Sequence, residues 1–281
     1  MGRIERAFAR AREQGRAAFV PFITAGFPDA ERFPAYAAAL LEHADVLEIG
    51  LPFSDPLGDG PTIQRASETA LAGGADTEHT LAAIAELRRS SDAAIALMTY
   101  YNPVYCYPRG GERGFVRALR AADADGVILP DLPPDEAGGL LPEAREAGLD
   151  TVFLVAPTST PARIATVVEA CRGFVYAVSV TGVTGARDTL PDDVADLVAR
   201  TRAASGLPVA VGFGVATRSM AARVAEIADG VVVGSALIQA IQAEADAGHP
   251  EGGPGRVAAP DAAGSPRLAE SGAAQRTCTC A

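Results

Sequence analysis

The chain has 281 residues, of which 48% are hydrophobic and 6% aromatic, with no tryptophan. A length of this order suits one α/β barrel without division into further domains. The formal net charge is −11 and all 24 basic residues are arginine, so the chain lacks the basic footprint of a nucleic-acid or anionic-membrane binder.

In chain order, the first segment carries arginines but no continuous apolar stretch, so it is not expected to be a secretory signal. No run approaches the ~18 apolar residues of a membrane span. Short apolar runs then alternate with helical patterns. Strands are expected at Phe19–Ile23, Val46–Ile49, Ala93–Met98, Gly126–Leu129, Thr151–Val155, Phe174–Val178, Val209–Val211 and Val231–Val233. Helical spacing falls at Phe33–Glu42, Thr80–Arg89, Phe115–Ala122, Asp135–Ala147, Pro161–Cys171, Val194–Ala204 and Arg218–Ala225. Wholly apolar strands between helices imply parallel βα units with right-handed crossovers. A doubly wound open sheet could produce the same order. The count of eight strands and the late glycine-bearing loops favour a single-domain (β/α)8 TIM barrel spanning residues 1–242. Residues 243–281 are rich in Ala, Gly and Pro, a composition that points to a disordered tail.

Glu48 breaks the apolar run of the second strand, near its C-terminal end. Alternation puts Val46, Glu48 and Gly50 on one face. If that face looks inward, the carboxylate enters the barrel mouth, where barrel enzymes hold their reacting groups. An acid paired with a buried arginine would be the structural alternative. In the next loop, Asp55 before Pro56 reads as a turn former, while Asp59 stands unscreened between Gly58 and Gly60. Two carboxylates at one mouth suit acid–base work if their pKa values separate.

Glycines follow the last three strands, in Gly182-Val183-Thr184-Gly185, in Gly212-Phe213-Gly214 and at Gly234-Ser235. Any one alone is an ordinary turn. Together they suit backbone binding of phosphate by loops and by a short helix starting at Ser235. The cysteines Cys106, Cys171, Cys278 and Cys280 have no metal or disulfide spacing.

The run Leu47-Glu48-Ile49-Gly50-Leu51-Pro52-Phe53-Ser54-Asp55-Pro56-Leu57-Gly58-Asp59-Gly60-Pro61 resembles the signature of tryptophan synthase alpha subunits. The likeness continues through Pro21-Phe22-Ile23-Thr24-Ala25-Gly26, Tyr100-Tyr101-Asn102-Pro103-Val104 and Pro130-Asp131-Leu132-Pro133-Pro134. It extends to Tyr176-Ala177-Val178-Ser179, Thr181–Gly185, Val211–Gly214 and Val232–Ala236.

The resemblance implies a lyase of tryptophan biosynthesis that cleaves indole-3-glycerol phosphate to indole and glyceraldehyde 3-phosphate. It implies Glu48 and Asp59 as catalytic residues, Tyr176 beside the substrate, and Thr184 in a loop closing on Asp59. It places Gly185, Gly214, Gly234 and Ser235 at the phosphate, and Phe22, Tyr100, Ile128 and Phe213 around the indole ring. No metal or organic cofactor is implied, and the absence of lysine closes a Schiff-base route. The implied partner is a tryptophan synthase beta subunit in an alpha2-beta2 complex, facing Asp55 and the Pro103 and Asp131 loops. The implied location is the cytoplasm.

Three departures stand out. Val180 replaces an arginine of some members, Gly58 replaces a frequent alanine with little expected effect, and the tail replaces a long amphipathic helix. A non-catalytic barrel that only activates a beta subunit is the rival of a different class. Another phosphate-binding barrel of the tryptophan or histidine pathways is the rival of the same fold, and the missing lysines weigh against it.

Overall fold

The computed structural model describes residues 1–178, 192–212, 214–215 and 217–247. Thr184, Gly185, Phe213, Val180 and the tail after residue 247 lie outside the described residues. Eight strands follow the expected order: β1 Ala18–Thr24, β2 Val46–Gly50, β3 Ala94–Met98, β4 Gly126–Ile128, β5, β6 Val175–Val178, β7 Val209–Gly212 and β8 Gly230–Val233. β5 is two hydrogen-bonded stretches, Asp150–Val152 and Leu154–Val155, with Phe153 between them. The first pairs with β4 and the second with β6. At the join, the Phe153 N–H turns to the Cys171 Sγ (3.3 Å) while its carbonyl accepts from Tyr176 N–H (3.2 Å).

All pairings are parallel; β1 pairs with both β2 and β8, and the ring closes through β5, whose two stretches pair with β4 and β6. The helices are α1 Arg3–Glu13, α2 Phe33–Leu41, α3 Pro61–Ala72, α4 Thr77–Ser90, α5 Tyr101–Tyr105, α6 Gly111–Ala121, α7 Leu140–Ala147, α8 Pro161–Ala170, α9 Asp192–Ala204, α10 Arg218–Ile227 and α11 Ser235–Asp246. The single helix expected over Asp135–Ala147 is instead a 3-10 turn, Pro134–Glu136, followed by α7. Gly138 and Gly139 separate them, and a side chain at Gly139 would collide with the Glu112 carboxylate. α11 continues past Gln242 and buries Leu237, Ile238 and Ile241, packing against β1 and α3 beside the β8–β1 seam.

The register sorts the strands into faces. Phe22, Glu48, Ala96 and Gly126 are successive partners around the ring and share one side. That side is the barrel interior, because Tyr176, four strands round the ring on β6, feels the charge of Glu48.

The amino ends of the strands are held electrostatically. Asp45, Asp125 and Asp229 stand just before β2, β4 and β8. They accept the N–H of Phe19 (2.8 Å), Ile95 (2.9 Å) and Val209 (2.8 Å) on the neighbouring strands. Each carboxylate is also paired with an arginine: Arg16 with Asp45, Arg88 with Asp125 and Arg202 with Asp229. Charged hydrogen bonds of this kind outweigh neutral ones and satisfy donors at the barrel rim.

The same end is stoppered by α1. Its apolar face, with Ile4, Ala7, Phe8 and Ala11 buried, lies under the strands. Phe8 lies tilted against Phe174 with ring centroids 5.3 Å apart. Gly230 leaves room for Phe8, and Gly126 and Gly173 leave room for Ile4. Any side chain at these glycines would occupy the space that the stopper fills.

Candidate active site

Glu48 lies on the inward face of β2, 1% exposed, and its Oε2 has no hydrogen-bond partner among the described residues. Burial raises its pKa to about 8, and the nearby charge of Asp59 adds to the rise. Among the described residues, Glu48 makes no ion pair with the arginine of the structural alternative. The inward turn follows from alternation: Leu47 and Ile49 fill the helix side of the strand, leaving Glu48 for the interior.

Asp59 is buried at the end of the β2–α3 loop, just before Gly60 and Pro61 start α3. Burial raises its pKa to about 6, and a hydrogen bond from the Tyr100 hydroxyl opposes the rise. Tyr100 also accepts the Gly58 N–H (2.9 Å), and its ring stacks on Phe53 at 5.3 Å. One tyrosine therefore holds three points of the loop that carries Asp59. This bears on Gly58: a Cβ there would stand 3.2 Å from the Tyr100 oxygen, so glycine relieves a crowded contact.

Tyr176, on β6, is buried with its hydroxyl pKa pushed well up by burial and by the charges of Glu48 and Asp59. Its ring leans over β7, where a Cβ on Gly212 would come within 2.2 Å of the hydroxyl oxygen. Gly212 is thus required by Tyr176. Expected only as part of a glycine-bearing turn, it turns out to be a strand residue. Phe22 and Ile128 are buried on the same interior face, at the carboxyl ends of β1 and β4.

Gly214 follows β7 with φ of +85°, a conformation that favours glycine. Gly234 and Ser235 open α11, whose first turn has no side-chain cap. Its leading N–H groups lack intrahelical acceptors and suit an anion. The expected helix at Ser235 is present, though longer than a single turn. Among the described residues, no group of His, Cys, Asp and Glu side chains could hold a metal ion.

The Tyr100–Asp59 bond is the feature that sequence reasoning missed. Tyr100 is expected as a pocket wall, and nothing in residue spacing ties a hydroxyl after β3 to a loop after β2.

Two buried carboxyls raised to different pKa values at the carboxyl ends of a parallel (β/α)8 barrel are an arrangement suited to an enzyme working by proton transfer. Comparison with known proteins makes the class specific. The family profile described as tryptophan synthase alpha chain matches residues 8–252. A tryptophan synthase alpha chain of Deinococcus radiodurans is 53% identical over 247 residues, covering 88% of this chain and 90% of that one. One from Mycobacterium marinum is 48% identical over 235 residues, covering 83% and 86%. Among solved structures, tryptophan synthase subunit alpha from Legionella pneumophila superposes with a TM-score of 0.85 at 34% identity, covering 96% of this chain and 99% of that one. Mycobacterium tuberculosis tryptophan synthase superposes with a TM-score of 0.83 at 44% identity, covering 96% and 97%. The chain belongs to the tryptophan synthase alpha chain family.

Proposed function

We infer that this chain is a carbon–carbon lyase of tryptophan biosynthesis, cleaving indole-3-glycerol phosphate to indole and glyceraldehyde 3-phosphate. The observation that carries the residue assignment is the separation of the two carboxyls. With a pKa of about 8, Glu48 is mostly protonated at neutral pH; with about 6, Asp59 is mostly ionised.

The Glu48 acid then protonates indole C3, and positive charge develops on the ring nitrogen. The Asp59 carboxylate, aimed at that N–H, stabilises the charge. The bond from C3 to the side chain breaks, and its electron pair restores the ring's enamine and neutralises the nitrogen. The Glu48 carboxylate takes the proton of the adjacent side-chain hydroxyl as its carbon becomes the aldehyde. Glu48 ends protonated, as it began. Gly214 and the start of α11 would hold the phosphate, with Phe22, Tyr100 and Ile128 against the ring.

The tryptophan synthase beta subunit is the partner, in an alpha2-beta2 complex. The mouth-side surface supports this reading, since Leu57 is 88% exposed on the loop carrying Asp55 and Tyr105 is 64% exposed beside Pro103. No described helix is long and apolar enough to cross a membrane, which fits a cytoplasmic enzyme.

Indole release from indole-3-glycerol phosphate, with and without a beta subunit, tests the reading. Glu48→Gln should lower turnover at least about a hundredfold while substrate binding persists. Activation of a beta subunit without any indole release would identify a non-catalytic activator instead.

A further inference from the structure

One buried polar group on the barrel interior has no task in this chemistry. Thr24 ends β1, is 1% exposed, and its Oγ1 has no hydrogen-bond partner among the described residues. Glu48 Oε2, on the adjacent strand, is in the same condition. The register fixes where Thr24 faces. Phe22 pairs with Glu48 and Thr24 pairs with Gly50, and registered neighbours project to the same side of a sheet. A Cβ on Gly50 would strike the Phe22 ring at 2.5 Å, so Gly50, Phe22 and Thr24 share the interior face. Thr24 therefore stands one pleat nearer the mouth than the Phe22–Glu48 layer.

Its place around the ring narrows what it can meet. β1 lies between β8, which leads into Gly234 and Ser235, and β2, which carries Glu48. A ligand with its phosphate at the first and its reacting carbon at the second must run its linking atoms past Thr24. A threonine hydroxyl both donates and accepts, which matches an alcohol. An unmet buried hydroxyl is costly, whereas valine has the same shape without that cost.

We propose that Thr24 is a substrate-binding residue whose hydroxyl hydrogen-bonds an alcohol group of the three-carbon chain joining the indole ring to the phosphate. The proposal rests on the function inferred above. It adds a neutral hydrogen-bonding contact to the hydroxylated linker beside the proton transfer assigned to Glu48.

The test compares the full chain with Thr24→Val and Thr24→Ser. It measures kcat/KM for indole-3-glycerol phosphate, Ki for indole-3-propanol phosphate, whose linker has no hydroxyl, and Tm without ligand. Thr24→Val should lose about tenfold in kcat/KM, the scale of one hydrogen bond, with Ki unchanged within about twofold. Thr24→Ser should recover most of the loss. The ligand-free Tm of Thr24→Val should stay level or rise, since an unpartnered hydroxyl has been removed. Thr24→Ala repeats the comparison if valine impairs folding. Parallel losses in kcat/KM and Ki, no loss in either, or a marked fall in Tm in both Thr24→Val and Thr24→Ala would each overturn the proposal. Absence of indole release by the unsubstituted chain would overturn the function with it, whereas normal release with an indifferent Thr24 overturns this role alone.

Discussion

Holding Glu48 protonated has a cost in stability that depends on pH, and Glu48→Gln exposes it. The carboxyl has an ordinary value of 4.5 and rises to about 8 in the folded chain. A pKa raised by folding gives a contribution fully present below the lower value and lost progressively as pH climbs to the higher one. At 1.36 kcal/mol per unit, the loss is about 1 kcal/mol at pH 5 and about 3 kcal/mol at pH 7. Glutamine does not titrate and loses nothing. The other titrating groups cancel when the two proteins are compared at the same pH. The Tm advantage of Glu48→Gln should therefore grow by about 2 kcal/mol between pH 5 and pH 7, or roughly 4–8 °C at 2–4 °C per kcal/mol. Calorimetric or dichroism melts at pH 5, 6, 7 and 8 measure it, and the growth should level off above pH 8. A gap that stays constant from pH 5 to pH 7 would mean that Glu48 is ionised in the folded chain, and its role as acid would fall.

Three further outcomes follow from the same geometry. Tyr100→Phe removes the hydroxyl that holds the Asp59 pKa down, so the acid-side fall of kcat/KM should move to higher pH; an unmoved limb would separate Tyr100 from Asp59. Gly214→Val should weaken binding of glycerol 3-phosphate far more than binding of indole, because a side chain there blocks backbone donors and opposes φ of +85°; equal losses would indicate general misfolding. Asp150, at the amino end of β5, is raised to about 6 by burial and by the charges of Glu5 and Asp125. Its raised value costs stability as pH rises through 6, so Asp150→Asn should gain in Tm over the unsubstituted chain between pH 5 and pH 7, and a gain independent of pH would argue against a buried, titrating carboxyl.

The features legible in the sequence are those written locally. Eight apolar runs announce the strands because a parallel barrel buries both faces of each. Glu48 is legible because a charge inside such a run needs a reason, and alternation supplies its direction. Asp59 is less so, since a loop aspartate between glycines is as often a turn former. What escapes is long-range. The break at Phe153 depends on a sulfur eighteen residues on, at Cys171. The helix boundary at Gly139 depends on the Glu112 side chain of another helix. Tyr100 reaches Asp59 only because β3 lies beside β2, and Thr24 becomes conspicuous only once its neighbours are known to leave it without a partner. Residues near Asp150 show the same limit: Gly126 reads only as the start of a strand, yet it and Gly173 leave the space that Ile4 fills.

That last contact shapes the traffic through the barrel. With Ile4 and Phe8 of α1 wedged under the strands, side chains fill the amino end of the barrel. In the function inferred above, substrate and both products then pass the opposite rim, the one that bears Leu57 and Tyr105. Indole, small and apolar, would otherwise diffuse away into the surrounding water once it cleared that rim. Whatever protein docks on the rim then decides where the indole goes, without touching either carboxyl group.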